Sequence, residues 1–286
     1  MRCLACPRQC GARRAAGELG FCRAPETYLV SRCAPHYWEE PCISGSKGSG
    51  AIFFAGCNLG CVFCQNQKIS RGGAGRAMTE AQLVDEMRRL QALGVHNINL
   101  VTPSHYALPL ARTLERAKLD IPVVWNSSGY DSAEALSALE GLVQIYLPDL
   151  KYLSPAPAKT YSRAADYPAV AAAAIREMFR QTGPAELDGD GLLRRGVVIR
   201  HLILPGLVEN TLDVIDWVAQ HFPGDAVLFS LMAQYTPMSG VPAELDRPVS
   251  PAEYDRILSY LELSGIEQGY VQELAAAGER FIPEFE

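Results

Sequence analysis

The chain has no cysteine after Cys64, whereas nine cysteines occur up to that point. Cysteines that serve as small core side chains would be spread along the whole sequence. Disulfide frameworks are typical of small secreted proteins and do not suit a chain of 286 residues. The crowding of cysteines near the start of the chain therefore predicts metal binding.

The chain also lacks a basic excess and any long apolar run. Its 26 Lys and Arg residues against 32 Asp and Glu residues give a formal net charge of -6. This balance argues against general nucleic-acid binding, because phosphate contacts need clustered cationic side chains. No apolar stretch reaches membrane-spanning length, and the N-terminus lacks the apolar core of a signal peptide. We therefore expect no nucleic-acid partner, no membrane contact and a cytoplasmic location.

Strand-like and helix-like patterns alternate after residue 50. A capping box, Thr79 with Gln82, starts one helical pattern and Gly94 ends it. This alternation predicts an α/β fold, an open partial (βα)6 barrel whose chemistry lies at the C-terminal ends of the strands. Residues 176–196 interrupt this alternation with Gly, Pro and Asp and are expected to be an excursion at the bottom edge of the sheet. The apolar, β-rich runs lie at 51–55, 97–101, 122–126, 142–147, 197–204, 226–231 and, more weakly, 266–271.

The composition changes near residue 45. Residues 1–45 are rich in Cys, Arg and Pro and have no clear strand or helix period. A Gly/Ser loop at 44–50 follows them and leads into the α/β pattern. We therefore predict a Cys-rich metal-binding segment over residues 1–45 and a core domain over residues 46–286.

Three cysteines, Cys57, Cys61 and Cys64, follow the first predicted strand with the spacing Cys-x3-Cys-x2-Cys. Four cysteines would ligate every iron of a [4Fe-4S] cluster, whereas three leave one iron open. The amino and carboxylate groups of a methionine-type cofactor can chelate an open iron. Zinc is the weaker interpretation, because catalytic zinc sites usually include histidine and none lies between Cys42 and His96.

The string Phe-x-x-Gly-Cys-Asn-Leu-x-Cys-x-x-Cys-x-Asn resembles the radical S-adenosylmethionine (SAM) superfamily and is similar to its pyruvate formate-lyase activating enzymes. The N-terminal cysteines and the motif His36-x-x-Glu39-Glu40-Pro41 resemble a less characterised activating-enzyme-like branch. The resemblance extends from about Ile43 to the C-terminus. It implies a radical SAM core domain over 46–286, in which a [4Fe-4S] cluster reductively cleaves SAM. The resulting 5′-deoxyadenosyl radical would abstract hydrogen from a substrate.

The resemblance also assigns cofactor-binding residues to the ends of the strands. Where activating enzymes have Gly-Gly-Glu, this chain has Thr102-Pro103-Ser104, so Thr102 and Ser104 would supply the hydrogen-bond acceptors. Asn126 replaces an Asp that helps to bind a monovalent cation in those enzymes, which leaves such a site open to question. The complete set is Phe63, Thr102, Ser104, Asn126, Ser127, Ser128, Asp149, Lys151, Arg200 and Gln234.

Several residues differ from the activating enzymes or have two interpretations. Gln234 stands where those enzymes carry a histidine, and an amide does not shuttle protons at neutral pH. Lys47 replaces an acid that precedes their cluster. His105 is either a catalytic acid or, in the commoner case, a surface histidine at a helix start. His201 is expected to be structural, since strand alternation points it away from Arg200.

The remaining cysteines suggest a second site. Four thiolates, from Cys3, Cys6, Cys10 and Cys22, could hold structural zinc or a second, fully ligated iron-sulfur cluster. Nearby glycines slightly favour zinc. Two cysteines, Cys33 and Cys42, are either further ligands or free thiols. The motif residues His36, Glu39 and Glu40 either cover the cluster or form a solvated charged group.

Two functions are compatible with these patterns. The first is an enzyme that abstracts hydrogen, either to install a glycyl radical on a partner protein or to modify another substrate. It would draw electrons from a reductant such as flavodoxin or ferredoxin. The second is a non-catalytic iron-sulfur or zinc protein that binds a partner or transfers electrons. Asp149, Lys151 and Arg200 favour the enzyme, whereas the missing Gly-Gly-Glu favours the second function.

Overall fold

The computed structural model describes residues 2–71, 73–276 and 278. The described strands are β1 Tyr28–His36, β2 Ser49–Phe54, β3 Arg76–Met78, β4 Ile98–Val101, β5 Val123–Ser127, β6 Ile145–Pro148, β7 Glu186–Leu187, β8 Leu193–Leu202, β9 Leu228–Met232 and β10 Gly269–Val271. The described α-helices are α1 Pro41–Ser44, α2 Gln67–Ser70, α3 Glu80–Ala92, α4 Ala107–Ala117, α5 Ala133–Ser137, α6 Pro155–Ser162, α7 Tyr167–Thr182, α8 Val208–His221 and α9 Pro251–Leu263. None of these helices is long and apolar enough to cross a membrane.

The strands form one mostly parallel sheet in the order β10-β9-β8-β6-β5-β4-β2-β1-β3, with β7 attached to β8. Seven strands from β2 to β10 run parallel to one another, whereas β1 is antiparallel to both β2 and β3. Among the described strands β10 and β3 stand at separate ends of this order, so the sheet is open. The predicted open α/β barrel is confirmed, and the weak run at 266–271 supplies a seventh parallel strand.

Helix α3 illustrates why the sequence predicted the alternating elements well. The Thr79 side chain accepts a hydrogen bond from the backbone of Gln82, and Gln82 bonds back to Thr79. Its buried face carries Leu83, Met87 and Leu90, which pack into the main core. Local capping and the apolar period therefore agree on the same helix.

The excursion expected at 176–196 lies beside the start of β8 and consists largely of regular structure. The segment contains the end of α7, the short strand β7 and the start of β8. Alanine favours helix, and the alanine-rich stretch of α7 continues to Thr182 before Gly183 ends it. Asp188 then closes the β7–β8 turn by accepting hydrogen bonds from the backbone of Asp190 and Leu192. The Gly and Asp residues thus mark a hairpin rather than a loop without structure.

Strand β1 was not predicted, although it lies inside the segment 1–45. It pairs with β2 from Val30 to His36, with a bulge between Val30 and Arg32. Its burial pattern is mostly intermediate, so the sequence lacks the alternation of a strand with one buried face. The division of the chain at residue 45 stays a prediction, and β1 joins the two predicted units through one sheet.

Helix α1 fills the end of the barrel at which the parallel strands begin. The carbonyl of Ile43 accepts a hydrogen bond from Asn97, just before β4, at 2.7 Å. A side chain at Gly45 would collide with Leu192 and His96. Helix α1 is therefore a plug at this end of the barrel, and it places the two residues immediately before it, Glu39 and Glu40, inside the barrel. The apolar layer around it consists of Cys42, Ile43, Val124, Ile145, Leu147, Leu193, Val198 and Leu228.

Candidate active site

A cavity of about 330 Å³ lies where the parallel strands end. All three cysteines of the predicted cluster line it, and they come from the loop after β2. Phe63 comes from the same loop, and the ends of β4, β5, β6, β8 and β9 or the residues just after them contribute the other predicted residues. Those lining the cavity are Phe63, Thr102, Asn126, Ser127, Ser128, Asp149, Lys151, Arg200 and Gln234.

Ser104 is the predicted cofactor-binding residue that does not line the cavity. It begins the 3-10 helix Ser104–Tyr106, is buried, and hydrogen-bonds the carboxyl group of Asp131. The Oγ of Ser127 donates to the same carboxylate at 2.6 Å. Ser104 therefore supports the end of β5, and its assignment to cofactor binding finds no support in this geometry.

Thr102 lines the cavity in a backbone conformation that disfavours threonine. Its φ is +58°, in the left-handed region, and its N–H donates to the carbonyl of Asn126 at 2.9 Å. A β-branched residue there stores roughly 1–3 kcal/mol of strain. Activating enzymes carry glycine at this part of the motif, which suits such a backbone. The strained residue is therefore one at which this chain differs from the activating enzymes.

The cysteine loop is held tightly around its first ligand. Gly56 has a φ of +84°, and a side chain there would come within 2.4 Å of the carbonyl oxygen of Cys22. The backbone N–H of Cys57 donates to that same carbonyl at 3.3 Å. Each of the three sulfur atoms accepts one hydrogen bond: from Leu59 N to Cys57 Sγ at 3.4 Å, from Ser162 Oγ to Cys61 Sγ at 3.0 Å, and from Ser70 Oγ to Cys64 Sγ at 3.5 Å.

The chemistry of these thiols fits an iron-sulfur cluster. Burial raises the pKa of Cys57, and it raises the pKa of Cys61 to about 12. Such thiols keep their protons at neutral pH unless a metal replaces them. The ammonium of Lys151 and the hydroxyl of Ser162 both favour the charged form of Cys61. These two contacts would stabilise Cys61 as the thiolate that ligates a cluster.

A buried ion-pair network fills the cavity beside the cysteines. Arg200 donates from Nε to Asp149 at 3.1 Å, from Nη1 to Glu39 at 3.1 Å and from Nη2 to Asn126 at 2.6 Å. The Nζ of Lys151 contacts the other oxygen of Asp149 at 2.7 Å. Although burial favours the neutral acid, Lys151 and Arg200 hold the pKa of Asp149 below its ordinary value. The network fixes two cations and two carboxylates beside the cysteines.

Glu39 and Glu40 line the cavity, whereas the sequence left open whether they cover the cluster or form a solvated charged group. Glu39 accepts hydrogen bonds from Asn99 at 3.2 Å, from Asn126 at 3.1 Å and from Arg200. Glu40 is only 9% exposed and lines the same cavity. The interpretation as a solvated charged group is therefore wrong, because α1 draws both residues into the barrel. The sequence feature that could have indicated this position is a pair of acids directly before a proline.

The two histidines of interest are buried outside the cavity lining. His105 contacts the carbonyl of Ala55 at 3.0 Å, and burial lowers its pKa to about 3. The expectation of a surface histidine is therefore wrong, since the helix start is packed under the cluster loop. His201 lies between Leu150 O at 2.6 Å and Thr211 Oγ1 at 3.0 Å, which agrees with the expected structural role.

The four N-terminal thiols lie close to one another. Burial raises the pKa of Cys6 to about 11, and repulsion from Cys22, Cys3 and Cys10 adds to this shift. Within residues 2–71, 73–276 and 278, no three His, Cys, Asp or Glu side chains are arranged around a single metal ion. Zinc or a second cluster at these cysteines therefore stays a prediction.

Arg8 connects this cysteine-rich segment to the cluster loop. Its guanidinium donates to the carbonyls of Asn58 at 2.8 Å and Leu59 at 3.0 Å. It also donates to the carbonyl of Ser162, whose hydroxyl contacts Cys61, at 2.9 Å. A change in the N-terminal segment can therefore reach the cluster loop through a few direct contacts.

Cys33 and Cys42 lie elsewhere in the fold. Cys33 is on β1, where burial raises the pKa of its thiol to about 12. Cys42 is on α1 in the barrel plug, and its thiol hydrogen-bonds the side chain of Tyr270. Their positions favour free thiols over additional metal ligands.

Comparison with known proteins agrees with this geometry. A curated relative, the uncharacterized protein MJ0674 of Methanocaldococcus jannaschii, is 28% identical over 244 residues, which cover 82% of this chain and 66% of the relative. The chain thus spans just under two thirds of that protein.

Solved structures share the fold at low sequence identity. SuiB of Streptococcus suis bound to the precursor peptide SuiA is 14% identical with a TM-score of 0.51, over 76% of this chain and 46% of that one. HydG, a maturase of the [FeFe]-hydrogenase, is 14% identical with a TM-score of 0.52, over 80% of this chain and 53% of that one. The family described as the radical SAM superfamily matches residues 51–218, from β2 through most of α8. The chain belongs to the radical SAM superfamily of enzymes.

Proposed function

We propose that the protein uses a [4Fe-4S] cluster on Cys57, Cys61 and Cys64 to cleave SAM and to abstract hydrogen from a substrate. The observation that carries this proposal is that three half-buried cysteine thiols share one cavity with a fixed network of cations and carboxylates. When bound, the cluster supplies the electron that opens a C–S bond of SAM and yields the 5′-deoxyadenosyl radical. Three cysteines leave one iron position for a cofactor, which supports an enzyme over an electron carrier.

The protein's own residues would bind and orient the methionyl end of SAM. Arg200 uses three of its five N–H groups within the network, and Lys151 uses one of three. The remaining donors can take a carboxylate, and both side chains are already immobilised. The Oγ of Ser128 is buried without a hydrogen-bond partner in the described part of the chain and lines the cavity, so it can also contact a ligand.

The same cavity would shield a reactive radical from water. Phe63 and Met232 are buried among its lining residues, and Phe53 closes another part of its wall. Excluding water limits the side reactions of a radical. Polar contacts thus hold the cofactor, and apolar side chains protect the hydrogen-abstraction step.

The finer assignments belong to the same proposal. The enzyme would follow the activating-enzyme-like branch and act on a protein, by installing a glycyl radical, or on another substrate. A flavodoxin or ferredoxin would supply the electron in the cytoplasm. The N-terminal thiols would hold zinc or a second cluster, and a monovalent cation would bind near Asn126 and Asp149. The similarity of the cluster motif supports the activating-enzyme-like assignment, and the proximity of the four N-terminal thiols supports a metal site there.

The direct test measures product. Anaerobically reconstituted protein, reduced with dithionite in the presence of SAM, should form 5′-deoxyadenosine. Cys61→Ala should abolish that product, whereas Cys33→Ala, which removes a thiol on β1 outside the cavity lining, should leave it unchanged. If the parent forms no product, or if Cys61→Ala matches it, the proposed function is wrong.

A further inference from the structure

The described residues that line the cavity include three acids and two cations. Among the described residues its lining includes the acids Glu39, Glu40 and Asp149 and the cations Lys151 and Arg200. Both cations pair with Asp149, and Arg200 also pairs with Glu39. No described Lys or Arg side chain lies within ion-pair distance of Glu40. Glu40 is therefore the acid of the three that has no ion-pair partner among the described residues.

Glu40 is unusual because it is buried and incompletely paired. It is 9% exposed, and its Oε2 atom has no hydrogen-bond partner among the described residues. Ser230 hydrogen-bonds its carboxylate, and Arg200 attracts it without forming an ion pair with it. Burial raises the pKa of Glu40, which reflects the cost of holding this charge without a partner. A cation brought by a ligand would remove that cost.

A second unpartnered acceptor lies on the same wall. Gln272 follows β10 and lines the cavity, and its buried Oε1 has no hydrogen-bond partner in the described part of the chain. Its backbone N–H bonds to Leu231 on β9, next to Ser230, which contacts Glu40. Both free atoms are oxygens that accept hydrogen bonds. A ligand that fits them must offer several donors.

We infer that Glu40 and Gln272 form a recognition subsite for an organic cation, the ammonium or guanidinium group of the substrate. This inference rests on the proposed function, because it names the class of substrate that the shared cavity accepts. A group with several N–H donors and a positive charge satisfies both oxygens and neutralises Glu40. An alcohol would leave the charge unpaired, and a carboxylate would be repelled. The cation can belong to a free amine or to a Lys or Arg side chain of a polypeptide.

The test compares small probes of similar shape on the full-length reconstituted protein without turnover. Titration calorimetry should show that n-butylammonium and n-butylguanidinium bind about ten-fold more tightly than n-butanol, as a charge-assisted hydrogen bond implies. Butyrate should not bind. Glu40→Gln should bring the cations to within about two-fold of butanol, because it removes the charge but keeps the shape.

Two further variants keep the result interpretable. Glu262→Gln removes a carboxylate from the exposed face of α9 and should retain the preference for cations. If Glu40→Gln fails to fold, Gln272→Leu should still reduce the preference by about three-fold, because it removes the second acceptor. Tighter binding of N-acetyl-lysine amide than of putrescine would support a polypeptide substrate, and the reverse order would support a small amine.

The inference is overturned if the parent binds butylammonium no better than butanol, or if Glu40→Gln keeps the full preference. The proposed function can fail separately. A parent protein that binds cations selectively but forms no 5′-deoxyadenosine would retain the subsite and lose the radical chemistry.

Discussion

Arg200 pairs with two carboxylates of the cavity, Asp149 and Glu39, and lies at the predicted cofactor position, so its removal should have two separable effects. Arg200→Met keeps much of the side-chain volume but leaves Asp149 and Glu39 without the guanidinium that contacts each at 3.1 Å. Breaking a buried pair by removing one partner costs about 3–5 kcal/mol. Urea unfolding at pH 7 should therefore show a loss of about this size.

The second effect concerns the cofactor. Charge-assisted hydrogen bonds are worth about 1.5–3 kcal/mol, so SAM should bind about ten- to a hundred-fold more weakly to the variant. Titrating the absorbance of the reconstituted cluster measures this affinity. The iron content should stay unchanged, because the cysteine sulfurs take their hydrogen bonds from Leu59, Ser162 and Ser70 rather than from Arg200.

Arg195→Met provides the matched control on the same strand. Arg195 is exposed and contacts only the carbonyl of Gln181 among the hydrogen bonds of the described residues. Its replacement should change stability by no more than about 0.5 kcal/mol and leave SAM affinity unchanged. If Arg200→Met binds SAM as tightly as this control, the assignment of the strand-end network to the cofactor is refuted.

Three other predictions follow from the same geometry. Thr102→Gly should raise the free energy of unfolding by about 1 kcal/mol in urea, because glycine relieves the left-handed backbone; a loss of stability would contradict the assigned strain. A variant that lacks Cys3, Cys6, Cys10 and Cys22 should lose bound zinc or the iron of one cluster, as metal analysis would show, and should keep some SAM cleavage. A metal content equal to that of the parent would exclude this site. The pKa of His105 is lowered in the folded protein, so below about pH 6.5 this histidine is protonated in the unfolded chain but stays neutral in the folded one. His105 therefore lowers the free energy of unfolding as the pH falls. Between pH 6.5 and 5, the free energy of unfolding of the parent in urea should fall by about 2 kcal/mol more than that of His105→Gln. An equal fall in both proteins would contradict this prediction.

The sequence predicted those parts of the fold whose local signals agree with their packing. The runs that became β2, β4, β5, β6, β8 and β9 are short and apolar, because parallel strands are buried on both faces. The cysteine spacing likewise located the cluster loop. Strand β1 escaped prediction because its side chains are half-buried and its sequence contains no clean alternation.

The sequence could not predict the contacts of Glu39 and Glu40. Both residues precede a four-residue helix, and an acidic pair before proline ordinarily lies in solvent. Their burial depends on α1 entering the barrel, and Glu39 then meets Arg200, 161 positions later in the chain. Such a contact follows from the closure of the sheet around the plug rather than from any local pattern.

The most direct test of the central claim is electron paramagnetic resonance of the reduced, anaerobically reconstituted protein before and after SAM is added. The account predicts a [4Fe-4S] signal that changes with SAM, because three cysteines leave one iron open to the cofactor. The variant in which Cys57, Cys61 and Cys64 are all alanine should lose that signal. A parent signal that SAM leaves unchanged, or a SAM-responsive cluster that survives in the triple variant, would contradict the assignment.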